Sequence, residues 1–85
     1  MASVTIYTSE PCPYCSGAKH LLAKRGIEYE EINLSMDPDG RAELARTTGM
    51  YTFPQIVIGD VTLGGFDELR VADYTGKLGQ LLAAA

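Results

Sequence analysis

The chain has 85 residues, 46% of them hydrophobic, and a net charge of −4. At that length only about 60% of the unfolded surface can be buried, so residues 1–85 are expected to form a single domain. The acidic balance excludes nucleic acid as a partner, because no basic patch offers phosphates a counter-charge. No apolar run approaches the roughly 20 residues that span a bilayer, and no basic segment leads an apolar one at the start. A cytoplasmic protein without a membrane partner is expected.

Val4–Thr8 (VTIYT) alternates and is rich in β-branched and aromatic residues, which predicts a first strand ended by Ser9, Glu10 and Pro11. From Pro13 to Arg25 the apolar residues Ala18, Leu21 and Leu22 recur at helical spacing, with Pro13 suited to a first turn and Gly26 as the stop. Ile27–Leu34 alternates again and predicts the second strand. Asp37-Pro38 has the form of an N-cap followed by proline, opening a helix to Thr48 that stops at Gly49.

Gln55–Ile58 is a short apolar strand, and Gly59-Asp60 suits a type II′ turn into a returning strand at Val61–Leu63. A final helical region starts at Phe66, with Leu69, Val71, Leu78, Leu81 and Leu82 as candidate core and Gly76 as a break. The order is βαβαββα. A strand-helix-strand opening demands a right-handed crossover and a parallel pair, and the hairpin adds antiparallel strands. The expected class is α/β, a four-stranded mixed sheet flanked by helices.

Cys12 and Cys15 are the only cysteines, placed where the first strand hands over to the first helix. Three positions apart on a helix, they share one face with Cα atoms about 5–6 Å apart, a spacing that a disulfide accepts. In a reducing compartment such a pair is more often catalytic or metal-binding than structural. Cys12 meets the free N–H groups and positive end of the helix, which favour a thiolate, so it is the expected nucleophile. Cys15, a turn deeper, is suited to resolving a mixed disulfide. Lys19 and Arg25 lie away from the helix start and are not credited with activating Cys12. His20 reads as a helix-surface residue rather than a base.

Two plainer readings compete. A structural zinc needs four ligands, and only Cys12, Cys15 and His20 stand beside the carboxylates, so no metal is expected. An inert buried cysteine pair is the other.

Two further stretches bear on the site. In Thr52-Phe53-Pro54, a cis bond before Pro54 would turn the Phe53 backbone outward to pair with an extended, peptide-like substrate; a trans proline would only start an edge strand. In GGFDEL, Gly64 to Leu69, two glycines lead into a helix start whose N–H groups form an anion site, with Asp67 beside it. That suits a ligand carrying both an α-carboxylate and an α-ammonium. Alternatively, Asp67 and Glu68 only complement the helix dipole.

Together, CPYC (residues 12–15), TFPQI (residues 52–56) and GGFDEL resemble the glutaredoxins over essentially the whole chain. CPYC is that family's usual dithiol site, TFPQI is similar to its Thr-Val-Pro-Gln-Ile segment, and GGFDEL to its Gly-Gly-Cys-Asp-Asp/Glu-Leu segment. The small size is like the bacterial glutaredoxin 3 type. The resemblance implies a thioredoxin-like fold and glutathione-dependent thiol–disulfide exchange, with glutathione as cosubstrate and glutathionylated or disulfide-containing proteins as partners of a monomer.

Carried over, Cys12 attacks and Cys15 resolves. Phe53 offers its backbone beside cis-Pro54; Gly65, Phe66 and Asp67 hold the γ-glutamyl end; Tyr14 and Thr52 complete the glutathione-binding set. The sequence departs from the family at Ser9, where many members carry lysine, and at Met50 and Tyr51, where many carry a basic residue. Those cations bind the glycine carboxylate. Each loss weakens binding by about 1–3 kcal/mol unless replaced, with Arg41 and Arg46 as candidates. Two other readings are a glutaredoxin-like electron donor served by thioredoxin reductase, and a dimer holding a [2Fe–2S] cluster with Cys12 and two glutathiones.

Overall fold

In the computed structural model, residues 2–84 are described. The chain runs β1 (Val4–Thr8), α1 (Pro13–Lys24), β2 (Glu30–Asn33), α2 (Pro38–Thr48), β3 (Gln55–Ile58), β4 (Val61–Gly64), α3 (Phe66–Thr75) and α4 (Lys77–Ala83). The sheet order is β2-β1-β3-β4. β1 pairs parallel to β2 and antiparallel to β3, and β3 pairs antiparallel to β4. This is the expected four-stranded mixed sheet of the thioredoxin-like fold.

Alternation in β1 buries Val4, Ile6 and Thr8 on one face. Val4 and Ile6 join Ile56 and Ile58 of β3, Ala18 and Leu22 of α1, Leu69 and Ala72 of α3 and Leu78 of α4 in one core. The helix starting at the cysteines is therefore anchored to the central strands by its own apolar stripe. Gln55 precedes Ile56 and so points to the other face, where its Oε1 accepts from Thr48 Oγ1 of α2 at 2.9 Å. A bidentate pair from Arg25 to Asp73, both bonds 3.0 Å, ties the end of α1 to α3.

The predicted helix stops hold: Gly26, Gly49 and Gly76 all take positive φ. At the hairpin, Gly59 has φ +59 while Asp60 does not share the positive sign, and Ile58 faces Val61, as a type II′ turn requires. Three expectations need correction. The second strand starts at Glu30 rather than Ile27, because the Ile27 N–H closes the end of α1 by donating to the Leu22 carbonyl at 2.9 Å. The returning strand reaches Gly64, across an irregular register between Ile56 and Val57.

Val71 is not core. It is 62% exposed, because Leu69 and Ala72 define the inward stripe of α3 and position 71 falls between them on the outer side. Gly76 divides the final helical region into two helices, and Leu78 rather than Leu81 or Leu82 is the fully buried contact of the second. Among the described residues, no helix is long and apolar enough to cross a membrane.

Candidate active site

Cys12 is the N-cap of α1, in extended backbone, and Pro13 occupies the first helical position. The order is physically apt: proline lacks the N–H that would be orphaned there, and its fixed φ starts the helix. Cys12 and Cys15 are joined as a disulfide with Cα atoms 5.2 Å apart, inside the range expected from their spacing. The Cys15 backbone N–H donates to Cys12 Sγ at 3.1 Å, so the sulfur itself caps the helix. Cys15 is only 3% exposed, whereas Cys12 is half-buried and opens to solvent.

Both peptides preceding Pro11 and Pro54 are cis. The Phe53 carbonyl oxygen lies 3.6 Å from Cys12 Sγ, so the loop before β3 directly adjoins the cysteine pair. That loop is held from below by Gln55, whose Nε2 donates to the carbonyls of Met50 at 3.1 Å and Thr52 at 3.0 Å. Gln55 is 1% exposed and fully bonded. The sequence reading has it as a strand residue and as part of TFPQI, with no role of its own. A lone amide in an otherwise apolar strand was the available signal, since a buried amide must find partners.

Gly64 and Gly65 bring α3 to the same place. Gly64 has φ +130, and a Cβ there would stand 2.7 Å from Glu68 Cγ, so glycine is required both by conformation and by space. The Gly65 N–H donates to Glu68 Oε1 at 2.7 Å, half of a capping box. A Cβ on Gly65 would lie 3.4 Å from the Pro54 carbonyl oxygen, which measures how closely the α3 start abuts the proline loop.

Tyr14, Thr52, Phe53, Pro54, Gly65, Phe66 and Asp67, with Glu68, line one hollow of about 400 Å³. The structure thus gathers the seven residues expected from the sequence to form a glutathione-binding set. Cys12 and Cys15 line an adjoining hollow of about 610 Å³ with Ser9, Lys19 and Glu31. Cys12 lines the second and Phe53 the first, and Cys12 Sγ stands 3.6 Å from the Phe53 carbonyl oxygen.

Sequence reasoning missed the floor of the cysteine hollow. There, buried Thr8 donates from Oγ1 to Glu31 Oε2 at 2.8 Å, and Lys19 Nζ reaches the same carboxylate at 3.2 Å. The Thr8 hydrogen bond, helped by Lys19 and opposed by burial, holds the Glu31 carboxyl below its ordinary value of 4.5. Glu31 is thereby favoured as the carboxylate and forms an ion pair with Lys19.

A third hollow, of about 470 Å³, lies beyond Phe53 and is lined by Arg41, Arg46, Met50 and Tyr51. Arg41 is half-buried and donates to the carbonyls of Leu34 at 2.6 Å and Ser35 at 2.9 Å; Arg46 pairs with Glu43. His20 is exposed and lines none of these hollows. Among the described residues, no group of three or more His, Cys, Asp or Glu side chains stands where it could hold a metal ion.

The family model described as Glutaredoxin matches residues 4–63. A glutaredoxin of Pseudomonas aeruginosa is 48% identical over 84 residues, covering 99% of this chain and 100% of its own length. Glutaredoxin 3 of Escherichia coli is 42% identical over 82 residues, covering 96% of this chain and 99% of its own. The crystal structure of a buckwheat glutaredoxin–glutathione complex superposes with a TM-score of 0.86 at 32% identity, covering 95% of this chain and 76% of the other.

Proposed function

This chain belongs to the glutaredoxin family and is a thiol–disulfide oxidoreductase, and from that premise we propose that it reduces glutathione mixed disulfides and protein disulfides at the expense of glutathione. The observation that carries this reading is the gathering of Tyr14, Thr52, Phe53, Pro54, Gly65, Phe66 and Asp67 around one hollow, with the Phe53 carbonyl oxygen 3.6 Å from the Cys12 sulfur.

In the reduced protein, Cys12 is the nucleophile. The Cys15 N–H aimed at Sγ and the positive start of α1 stabilise a thiolate there. The thiolate attacks the glutathione sulfur of a mixed disulfide, and the protein thiolate leaves and takes up a proton. A second glutathione, as its thiolate, attacks the glutathionyl sulfur on Cys12, releasing glutathione disulfide and restoring the Cys12 thiolate. With a protein disulfide, Cys12 forms a mixed disulfide with the protein. Buried Cys15 then loses its proton and attacks Cys12, producing the intramolecular disulfide of this structure. Two glutathiones reduce it again. Exposure supports the division of labour, since only Cys12 is open to an incoming disulfide.

Glutathione lies along the groove with its cysteinyl part against the Phe53 backbone, flanked by Thr52 and Tyr14. Its γ-glutamyl carboxylate meets the free N–H groups of Phe66 and Asp67, and its ammonium meets the Asp67 carboxylate. The Gly65 N–H is already taken by Glu68, so Gly65 contributes room rather than a donor. The glycine carboxylate points toward Arg41 and Arg46, which take over from the cations missing at Ser9, Met50 and Tyr51. The chemistry needs no metal and no second copy, and it belongs to a reducing compartment such as the cytoplasm.

The test is turnover of a glutathionylated peptide as glutathione is varied. Saturating dependence on glutathione is expected. Reduction supported by thioredoxin reductase but not by glutathione would overturn the reading.

A further inference from the structure

Gly17 sits inside α1, two residues beyond Cys15. Glycine is the least favourable helix-interior residue after proline, and Gly17 is not among the glycines with positive φ, so the backbone does not demand it. The reason lies across the groove. A Cβ at position 17 would stand 3.1 Å from Phe66 Cζ and 3.3 Å from Cε1, inside the separation of about 3.5–4.0 Å at which carbon atoms attract best. The Phe66 ring rests on the bare backbone of the active-site helix.

That ring has neighbours elsewhere too. Tyr14 packs beside it with centroids 6.2 Å apart and planes at 40°. The Arg70 guanidinium carbon is 5.6 Å from its centroid, and Arg70 lies 3.7 Å from Asp67. A methyl group at position 17 therefore forces a ring that already has these neighbours to give by a few tenths of an ångström. Phe66 is the first residue of α3, adjacent to Asp67, so displacement is felt at the start of α3.

We infer that Gly17 is a positioning residue for the glutathione groove: by ceding its side-chain volume to the Phe66 ring, it sets how closely the start of α3 approaches α1. The inference rests on the glutathione reading above.

The experiment compares the wild type with Gly17→Ala, Phe66→Ala and the double variant. Three quantities are measured for each: glutathione-dependent turnover of a glutathionylated peptide, dithiothreitol-driven reduction of insulin, and Tm. Gly17→Ala raises KM for glutathione about fivefold (about 1 kcal/mol), with kcat within about twofold. Its Tm is at or above that of the wild type, because alanine is the better helix residue, and insulin reduction is unchanged. In the Phe66→Ala background, Gly17→Ala no longer alters KM. An unchanged KM in Gly17→Ala, or an equal rise in the Phe66→Ala background, overturns the role of Gly17. So does a fall in Tm accompanied by loss of insulin reduction. A wild type whose turnover does not depend on glutathione overturns the reading beneath it, and is recognised before any variant is compared.

Discussion

Two helix starts face each other across the groove, and they use the same physics in opposite ways. α1 has no acidic residue in its first turn, and its N-cap is the Cys12 sulfur. α3 opens with Asp67 and Glu68, and a Glu68 oxygen takes the N-cap N–H of Gly65. Both ends carry unsatisfied N–H groups and a positive dipole end. At α1 that positive character is left for a sulfur that gains by becoming anionic. At α3 part of it is neutralised, leaving a mixed end that suits a zwitterion better than a simple anion. A reactive end thus withholds carboxylates from its own first turn, while a recognition end supplies them there.

The largest effect that can break this contrast lies at the sulfur. Cys12→Ser should reduce turnover of a glutathionylated peptide to background, whereas Cys15→Ser should retain it and lose only the reduction of protein disulfides. Equal loss in both assays for both variants would mean that the α1 start does not single out one sulfur.

Next comes the backbone of the α3 start. Gly64→Ala places a Cβ at φ +130 and 2.7 Å from Glu68 Cγ, which should cost about 1–3 kcal/mol of unfolding free energy in a denaturant titration. A variant as stable as the wild type would show that Glu68 is free to leave its capping position.

A smaller effect sharpens the charge argument. Asp67→Asn should raise KM for glutathione about three- to tenfold, since the carboxylate is exposed and its charge-assisted bond is screened. Glutathione lacking its α-amino group should not distinguish the variant from the wild type. If it does, Asp67 acts on something other than the ammonium.

The smallest effect concerns the cysteine hollow. A carboxyl whose value is lowered by folding contributes stability above its ordinary value, and loses it as pH falls through the folded one. Glu31 is held below 4.5, chiefly by Thr8. Stability should therefore fall below about pH 4.5, and Glu31→Gln should flatten that part of the profile in acid denaturation. An unchanged profile would show that the pair with Lys19 and Thr8 contributes nothing measurable.

Much of this was legible in the chain because the relevant signals are local. Strand alternation in Val4–Thr8, proline after the Cys12 cap and glycine at the helix stops each depend on neighbours a few residues away. Val71 misled for the same reason: in sequence it is one more apolar residue at helical range, and only the packing of Leu69 and Ala72 shows which stripe faces the sheet. Alternation through Ile27 predicts a second strand three residues too long at its start, because the ladder cannot begin until the chain clears the end of α1.

The site divides in the same way. The amino-acid sequence by itself determined the spacing of Cys12 and Cys15, which of them stands at the helix start, and the resemblance carried by CPYC, TFPQI and GGFDEL. Those follow from residue chemistry and helical geometry within a few positions. Only the tertiary structure decided that Gln55 holds the Met50–Thr52 carbonyls, that Thr8 and Lys19 favour the Glu31 carboxylate beneath the cysteines, and that Gly17 leaves room for Phe66. Each joins residues brought together by the sheet order or by the packing of α3 on α1. Short-range periodicity has no means of encoding which side chains will share a wall.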